Sequence, residues 1–120
     1  MSKDRVDKPW GCYVDYFRSS NVVFKKIMIL SGESISYQYH QGREEVWHVT
    51  GGVGKLTLDD NEAVMAAGDS VYINKEQKHK MECISEEPLV IYEMQMGDTR
   101  EDDIVRLEDK YGREDDKLSN

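Results

Sequence analysis

The 120-residue sequence is short of several features that would assign it to a class at once. It has two cysteines, Cys12 and Cys83, with no CxxC spacing, so neither a disulfide scaffold nor a thiolate metal cluster is expected. Two free thiols suit a reducing compartment. Its two prolines, Pro9 and Pro88, fall outside the predicted strands, whose backbone N–H groups therefore stay available for pairing. No apolar run approaches the roughly 20 residues needed to span a bilayer. Residues 1–9 are charged and lack the apolar segment of a signal peptide, so a soluble cytoplasmic protein is expected. Basic residues are outnumbered 16 to 24 by acidic ones, a formal net charge of −8, which excludes nucleic acid and anionic membrane as main partners. An anionic small molecule stays open, because a local basic pocket can sit in an acidic surface.

What is present is a chain of single-domain length with 38% hydrophobic and 33% charged residues, enough for a globular core. The middle reads as short strands at 22–30, 34–39, 45–50, 55–58, 63–66, 70–73, 80–84 and 89–96. Turn signals separate them: Ser31-Gly32, Gly51-Gly52, Asp59-Asp60-Asn61, Ala67-Gly68-Asp69 and Glu86-Glu87-Pro88. Many short strands at close spacing predict an all-β sandwich or barrel. The segment 98–110 is highly charged, and Thr99 with Asp102 three residues on could cap a short helix, so a brief helix or an ordered tail lying against the barrel is expected. The domain is expected to run over 1–113, with 114–120 a flexible tail.

The informative stretch is Gly32 to Gly52, GESISYQYHQGREEVWHVTGG. Alternation along a strand puts Gln38 and His40 on one face, and Glu45, Trp47 and Val49 on one face of the next. A hairpin would bring Gln38, His40 and Glu45 together, and His79 begins another strand much later. An amide, two imidazoles and a carboxylate suit a divalent borderline metal and are too rich in nitrogen for calcium. His48 should face the opposite way.

This spacing resembles the first motif of the cupins, with Gln38 in place of the usual first histidine. Gly68 and His79 fit the second, although Asn74, Glu76 and Cys83 depart from it. The likeness extends further. Lys8-Pro9-Trp10-Gly11, the block SYQYHQGREEVW and the tail EDDIVRLEDKYGR resemble the type II phosphomannose isomerase domain, from Lys8 to Arg113. That domain is usually the C-terminal part of bifunctional mannose-1-phosphate guanylyltransferase/mannose-6-phosphate isomerases. Gln41, Gly42 and Val46 stand where it commonly has histidines. No Gly-rich phosphate loop is present, so guanylyltransferase activity is not expected.

The resemblance implies a cupin, that is, an all-β double-stranded β-helix or jelly-roll barrel. It implies one divalent ion, zinc first and then manganese, iron, cobalt or nickel, on Gln38, His40, Glu45 and His79. It implies interconversion of mannose 6-phosphate and fructose 6-phosphate, with Arg43 catalytic. That reaction moves a proton between C1 and C2, so the enediolate needs a fixed cation and the phosphate a basic site. Phosphate candidates are Lys8, Lys25, Arg106 and Arg113, with Arg18 and Lys26 behind them; Lys25 and Lys26 are adjacent, so one of them faces inward. Other sugar-phosphate or nucleotide-sugar chemistry and a non-catalytic binding module are the competing readings. A homodimer is expected, through residues 22–30 or an N-terminal arm.

Overall fold

The computed structural model describes residues 5–100 and 102–113, so the expectation for 114–120 lies outside the described residues. Strands β1 (Arg5–Lys8), β2 (Gly11–Arg18), β3 (Val22–Ile29), β4 (Tyr37–Tyr39), β5 (Arg43–Gly51) and β6 (Val53–Leu58) come first. They are followed by β7 (Asn61–Ala66), β8 (Ser70–Ile73), β9 (His79–Cys83), β10 (Leu89–Gly97) and β11 (Val105–Glu108). One sheet has the order β1-β2-β3-β10-β5-β8 and the other β11-β4-β9-β6-β7, with every pairing antiparallel. The two inner faces enclose the core, as in a jelly roll.

The interior is divided along its length. At one end Ile29, Leu89, Ile91, Val49, Leu56, Met65, Met81 and Cys83 form an apolar cluster, all nearly inaccessible. Burying such side chains stabilises the fold by about 1.5–3 kcal/mol each before entropy is counted. Strand β10 carries the change of character. Ile91 sits across from Ile27 and Val49, but the next inward residue, Glu93, sits across from Lys25 and Trp47. The one after, Gln95, lies across from Val23 and Glu45. One outward row of the same strands is apolar instead. Phe17, Phe24, Met94, Val46 and Tyr72 are successive cross-strand partners over β2, β3, β10, β5 and β8, and all but Val46 are exposed.

Strand β3 is internal, paired on both edges with β2 and β10. Only its outward face is left to meet another molecule, and an edge contact through residues 22–30 is not available.

The helix expected from Thr99 does not form: among the described residues there is no helix. Tertiary contacts commit the capping groups elsewhere. The Thr99 hydroxyl donates to the Ser19 and Ser20 carbonyls, and its own carbonyl accepts from Arg18. Asp103 accepts from the Gln41 and Gly42 amides across the barrel mouth. Held at both points, the described residues of the segment turn, with the Asp103 amide donating to the Arg100 carbonyl, and lead into β11, which pairs with β4.

The β5–β6 turn rests on Gly52, whose φ of 74° is left-handed. A Cβ there would stand 2.4 Å from the Pro88 carbonyl oxygen. Gly68 also has a left-handed φ of 96° but open space around it. Gly52→Ala is therefore expected to cost about 3 kcal/mol or more and Gly68→Ala only about 1 kcal/mol. Denaturant midpoints at unchanged m-value check this; equal losses would mean that the Pro88 contact does not matter.

Candidate metal centre

Each polar side chain in the barrel arrives there by strand alternation. Arg43, Glu45, Trp47 and Val49 are the inward residues of β5. Gln38 is inward on β4, cross-strand from His79, the first residue of β9, and His40 follows β4 immediately. Gln38, His40, Arg43, Glu45 and His79 are all at most 5% exposed. Arg43 is thus the first residue of a strand, with its side chain in the barrel, rather than a loop residue.

One ligand atom from each of His40, Glu45 and His79 lies within 4.8 Å of the others. His40 Nε2 is 3.3 Å from Glu45 Oε2, and His79 Nε2 is 3.8 Å from Glu45 Oε1. Donors at such separations can share one ion with bonds of about 2.0–2.2 Å. The imidazoles are oriented for it. His40 Nδ1 is 2.6 Å from the Asp103 carbonyl, and His79 Nδ1 is 3.0 Å from the Gln77 carbonyl. A carbonyl only accepts, so each Nδ1 carries the proton and each Nε2 presents a lone pair. Burial, reinforced by the charge of Arg43 and by His79, holds His40 well below its ordinary pKa and hence neutral. His79 Nε2 is buried and has no hydrogen-bond partner. A lone pair left in that condition is what a cation would answer. Gln38 lies alongside, its Nε2 3.4 Å from His40 Nε2 and its Oε1 accepting from Ser36. A half-turn of the amide would present Oε1 instead, with Ser36 Oγ then accepting from Nε2. His40, Glu45 and His79 fit a divalent ion by donor type and by orientation, and Gln38 would join them only after that half-turn.

Two carboxylates share this space. Trp47 Nε1 donates to Glu45 Oε1 at 3.0 Å and to Glu93 Oε2 at 2.9 Å. Arg43 Nε donates to Glu45 Oε2 at 2.8 Å, and Arg43 Nη2 is 3.1 Å from His40 Nε2. Burial alone would raise both carboxyls. At Glu45 the Arg43 charge, the bond to Glu93 and His79 outweigh burial, and the group falls to about 2. At Glu93 burial is joined by the negative charge of Glu45, and the group rises to about 7.

His40, Arg43, Trp47 and Glu93 line a cavity with Trp10, Tyr13, Ile27, Ile35, Ile104, Lys25 and Gln95, while Gln38, Glu45 and His79 lie behind its wall. A water-sized molecule has about 20 Å³ in which to move there, within about 400 Å³ of empty space that includes open solvent. Lys25 reaches it, with Nζ 4.1 Å from the Tyr13 ring centre and 3.8 Å from Asp15 Oδ1, whereas Lys26 on the same strand does not line it. Three other candidates do not line it either. Arg113 is bidentate on Asp109, at 2.8 and 3.0 Å. Arg106 is buried on β11 and donates to the Arg113 carbonyl. Lys8 ends β1, half-buried. His48 faces outward, 2.6 Å from Ser70 Oγ. Glu93, Gln95 and Trp10 were not singled out in the sequence. A glutamate and a glutamine two apart in the apolar strand LVIYEMQMG were the available signal for the first two.

The fold and the buried His/Glu/His cluster define the class, a single-domain cupin. Solved structures of similar fold include KdgF from Halomonas sp. (TM-score 0.72, 16% identity, 82% of this chain and 89% of that one). An RmlC-like cupin from Shewanella frigidimarina aligns with a TM-score of 0.71 at 21% identity, over 83% of this chain and 87% of that one. The family model for the mannose-6-phosphate isomerase C-terminal domain matches residues 1–109, and the chain belongs to that family. The mannose-1-phosphate guanylyltransferase of Escherichia coli K12 is 35% identical over 109 residues, 90% of this chain and 23% of that protein. The alginate biosynthesis protein AlgA of Pseudomonas putida is 37% identical over 109 residues, 90% of this chain and 22% of that protein. The chain thus spans less than a quarter of the length of these relatives.

The raised Glu93 has a consequence for stability. Because its folded pKa lies above the unfolded one, its contribution is complete below the ordinary carboxylate range and is lost as pH rises through about 7. Glu93→Gln removes that loss. In chelator-treated protein, the melting temperature of the variant relative to wild type should therefore be higher at about pH 8 than at about pH 5. A difference independent of pH would show that Glu93 titrates normally.

Proposed function

We propose that this chain is a mannose-6-phosphate isomerase that interconverts mannose 6-phosphate and fructose 6-phosphate with a divalent ion held by Gln38, His40, Glu45 and His79. The observation that carries the reading is the buried, unanswered Nε2 of His79 beside His40 and Glu45, in a chain of this family. Zinc stands first for the ion, with manganese, iron, cobalt and nickel suited to the same donors. When bound, the ion supplies Lewis acidity toward sugar oxygens.

The residues of the chain do the rest. Arg43 reaches His40 Nε2 and Glu45 and lines the cavity, so its guanidinium would stand beside an ion held by those two residues. There its permanent charge stabilises the oxygen on which negative charge develops between C1 and C2. Lys25 is the cation on the opposite part of the cavity wall and is suited to the phosphate. Glu93 lines the cavity and is not one of the four ligands, so it is the carboxylate left to carry the proton. Relatives named for alginate and xanthan biosynthesis support a role in mannose-linked polysaccharide supply in the cytoplasm.

The test is to load the protein with each divalent metal and follow fructose 6-phosphate formed from mannose 6-phosphate. Wild type should turn over, and His40→Ala and His79→Ala should lose most bound metal by elemental analysis. Arg43→Lys should keep its metal and lose about a hundredfold in kcat. Metal binding without turnover by wild type would favour the binding-module reading.

We extend the proposal to assembly: two copies pair through the outward face of β2, β3, β10, β5 and β8, where Phe17, Phe24, Met94 and Tyr72 are exposed. Sedimentation should give twice the 13.9 kDa chain mass, and Phe24→Glu the single mass. A wild-type monomer at micromolar concentration would refute the pairing.

A further inference from the structure

Two buried polar atoms, on residues that line the cavity, are left over by everything described so far. Trp10 is 1% exposed, and its indole Nε1–H makes no hydrogen bond. Gln95 is 0% exposed, and its Oε1 accepts none. Both residues line the same cavity as His40, Arg43, Lys25 and Glu93. Neither is there by accident of a loose segment. The Trp10 carbonyl accepts from the Leu30 amide at 3.0 Å, which pins the turn between β1 and β2 and holds the indole inside. The Gln95 Nε2 donates to Glu93 Oε1 at 3.2 Å, which fixes the amide and leaves Oε1 as the unanswered end.

Leaving a buried donor or acceptor unpaired costs about 1–3 kcal/mol, and more than about 90% of such groups in folded proteins are paired. One orphan donor and one orphan acceptor on one small cavity therefore point to something polar that enters it. Neither atom carries a formal charge, so an ion is not what they select. They call for a group that accepts from an N–H and donates to a carbonyl oxygen. A hydroxyl does both, and a polyhydroxylated ligand has several to offer. The water-accessible room of about 20 Å³ suits a water or a single hydroxyl.

We propose that Trp10 and Gln95 form a hydroxyl-reading subsite, which holds sugar hydroxyls away from the metal ligands and makes these two residues determinants of specificity. This rests on the sugar-phosphate reading of the cavity. A ligand lacking the matching hydroxyl leaves both the indole and the amide unpaired, so the subsite discriminates by what it fails to satisfy.

The experiment uses a hexitol 6-phosphate, which has no carbonyl and cannot be isomerised, together with its monodeoxy analogues. Each is titrated calorimetrically into metal-loaded wild type, Trp10→Phe and Gln95→Met. Wild type should bind the parent hexitol phosphate and bind at least one monodeoxy analogue about tenfold more weakly. Trp10→Phe should bind the parent about tenfold more weakly than wild type does, and should no longer distinguish it from that analogue. Gln95→Met reads the acceptor in the same way and decides the question if Trp10→Phe does not fold. Wild-type affinity and wild-type discrimination in a folded variant would overturn the subsite and leave the isomerase proposal standing. Wild type that binds metal but no hexitol phosphate would overturn both.

Discussion

The charge on Glu45 is wholly buried, and the polar half of the barrel is built around keeping it there. One carboxylate oxygen takes the Arg43 guanidinium and the other the Trp47 indole, while His40 and His79 stand within 4 Å. An isolated carboxylate at this depth would be protonated instead. Because Glu45 is held ionised, its neighbour Glu93 cannot easily be, and the two carboxyls separate in acidity although they share one indole N–H. Two imidazole Nε2 atoms facing one ionised carboxylate make a cation site out of what would otherwise be a costly buried cluster.

Strand register is what assembles the cluster without disturbing the core. Strand β10 runs the length of the inner face, apolar at Leu89 and Ile91 and polar at Glu93 and Gln95. Its partners β3 and β5 change character at the same level, Ile27 giving way to Lys25 and Val49 to Trp47 and Glu45. The apolar end supplies the burial that stabilises the domain, which leaves the other end free to hold groups that contribute little to stability.

This division explains which parts were legible in the sequence. The strands from 22 onward were readable from short apolar runs between turn signals, and the ligand set from its spacing. The strands at Arg5–Lys8, Gly11–Arg18 and Val105–Glu108 were not, because they are mixed in polarity and owe their extension to partners remote in sequence. Thr99 looked like a helix cap, yet its hydroxyl is taken by carbonyls about 80 residues away. Glu93 and Gln95 were hidden for a different reason. In LVIYEMQMG both alternating sets contain apolar residues, so hydrophobicity does not say which face turns inward; here Met94 and Tyr92 face out and the glutamate and glutamine in. Arg43 lay outside the strand read over 45–50, which in the structure begins two residues earlier, and alternation with Glu45 places it inside.

The path of the chain after β10 carries one more implication. The Asp103 carbonyl fixes the Nδ1 proton of His40, and its carboxylate caps the two amides that follow that histidine. Residues 98–108 are thus a structural clasp on one ligand rather than an appendage to a finished barrel. Shortening the chain at the end of β10 would free His40 to rotate and to exchange tautomers, and would also remove Ile104 and Tyr111 from the core. In a domain that also recurs as part of longer proteins, the usable boundary is therefore set by the electronics of one imidazole as well as by apolar packing.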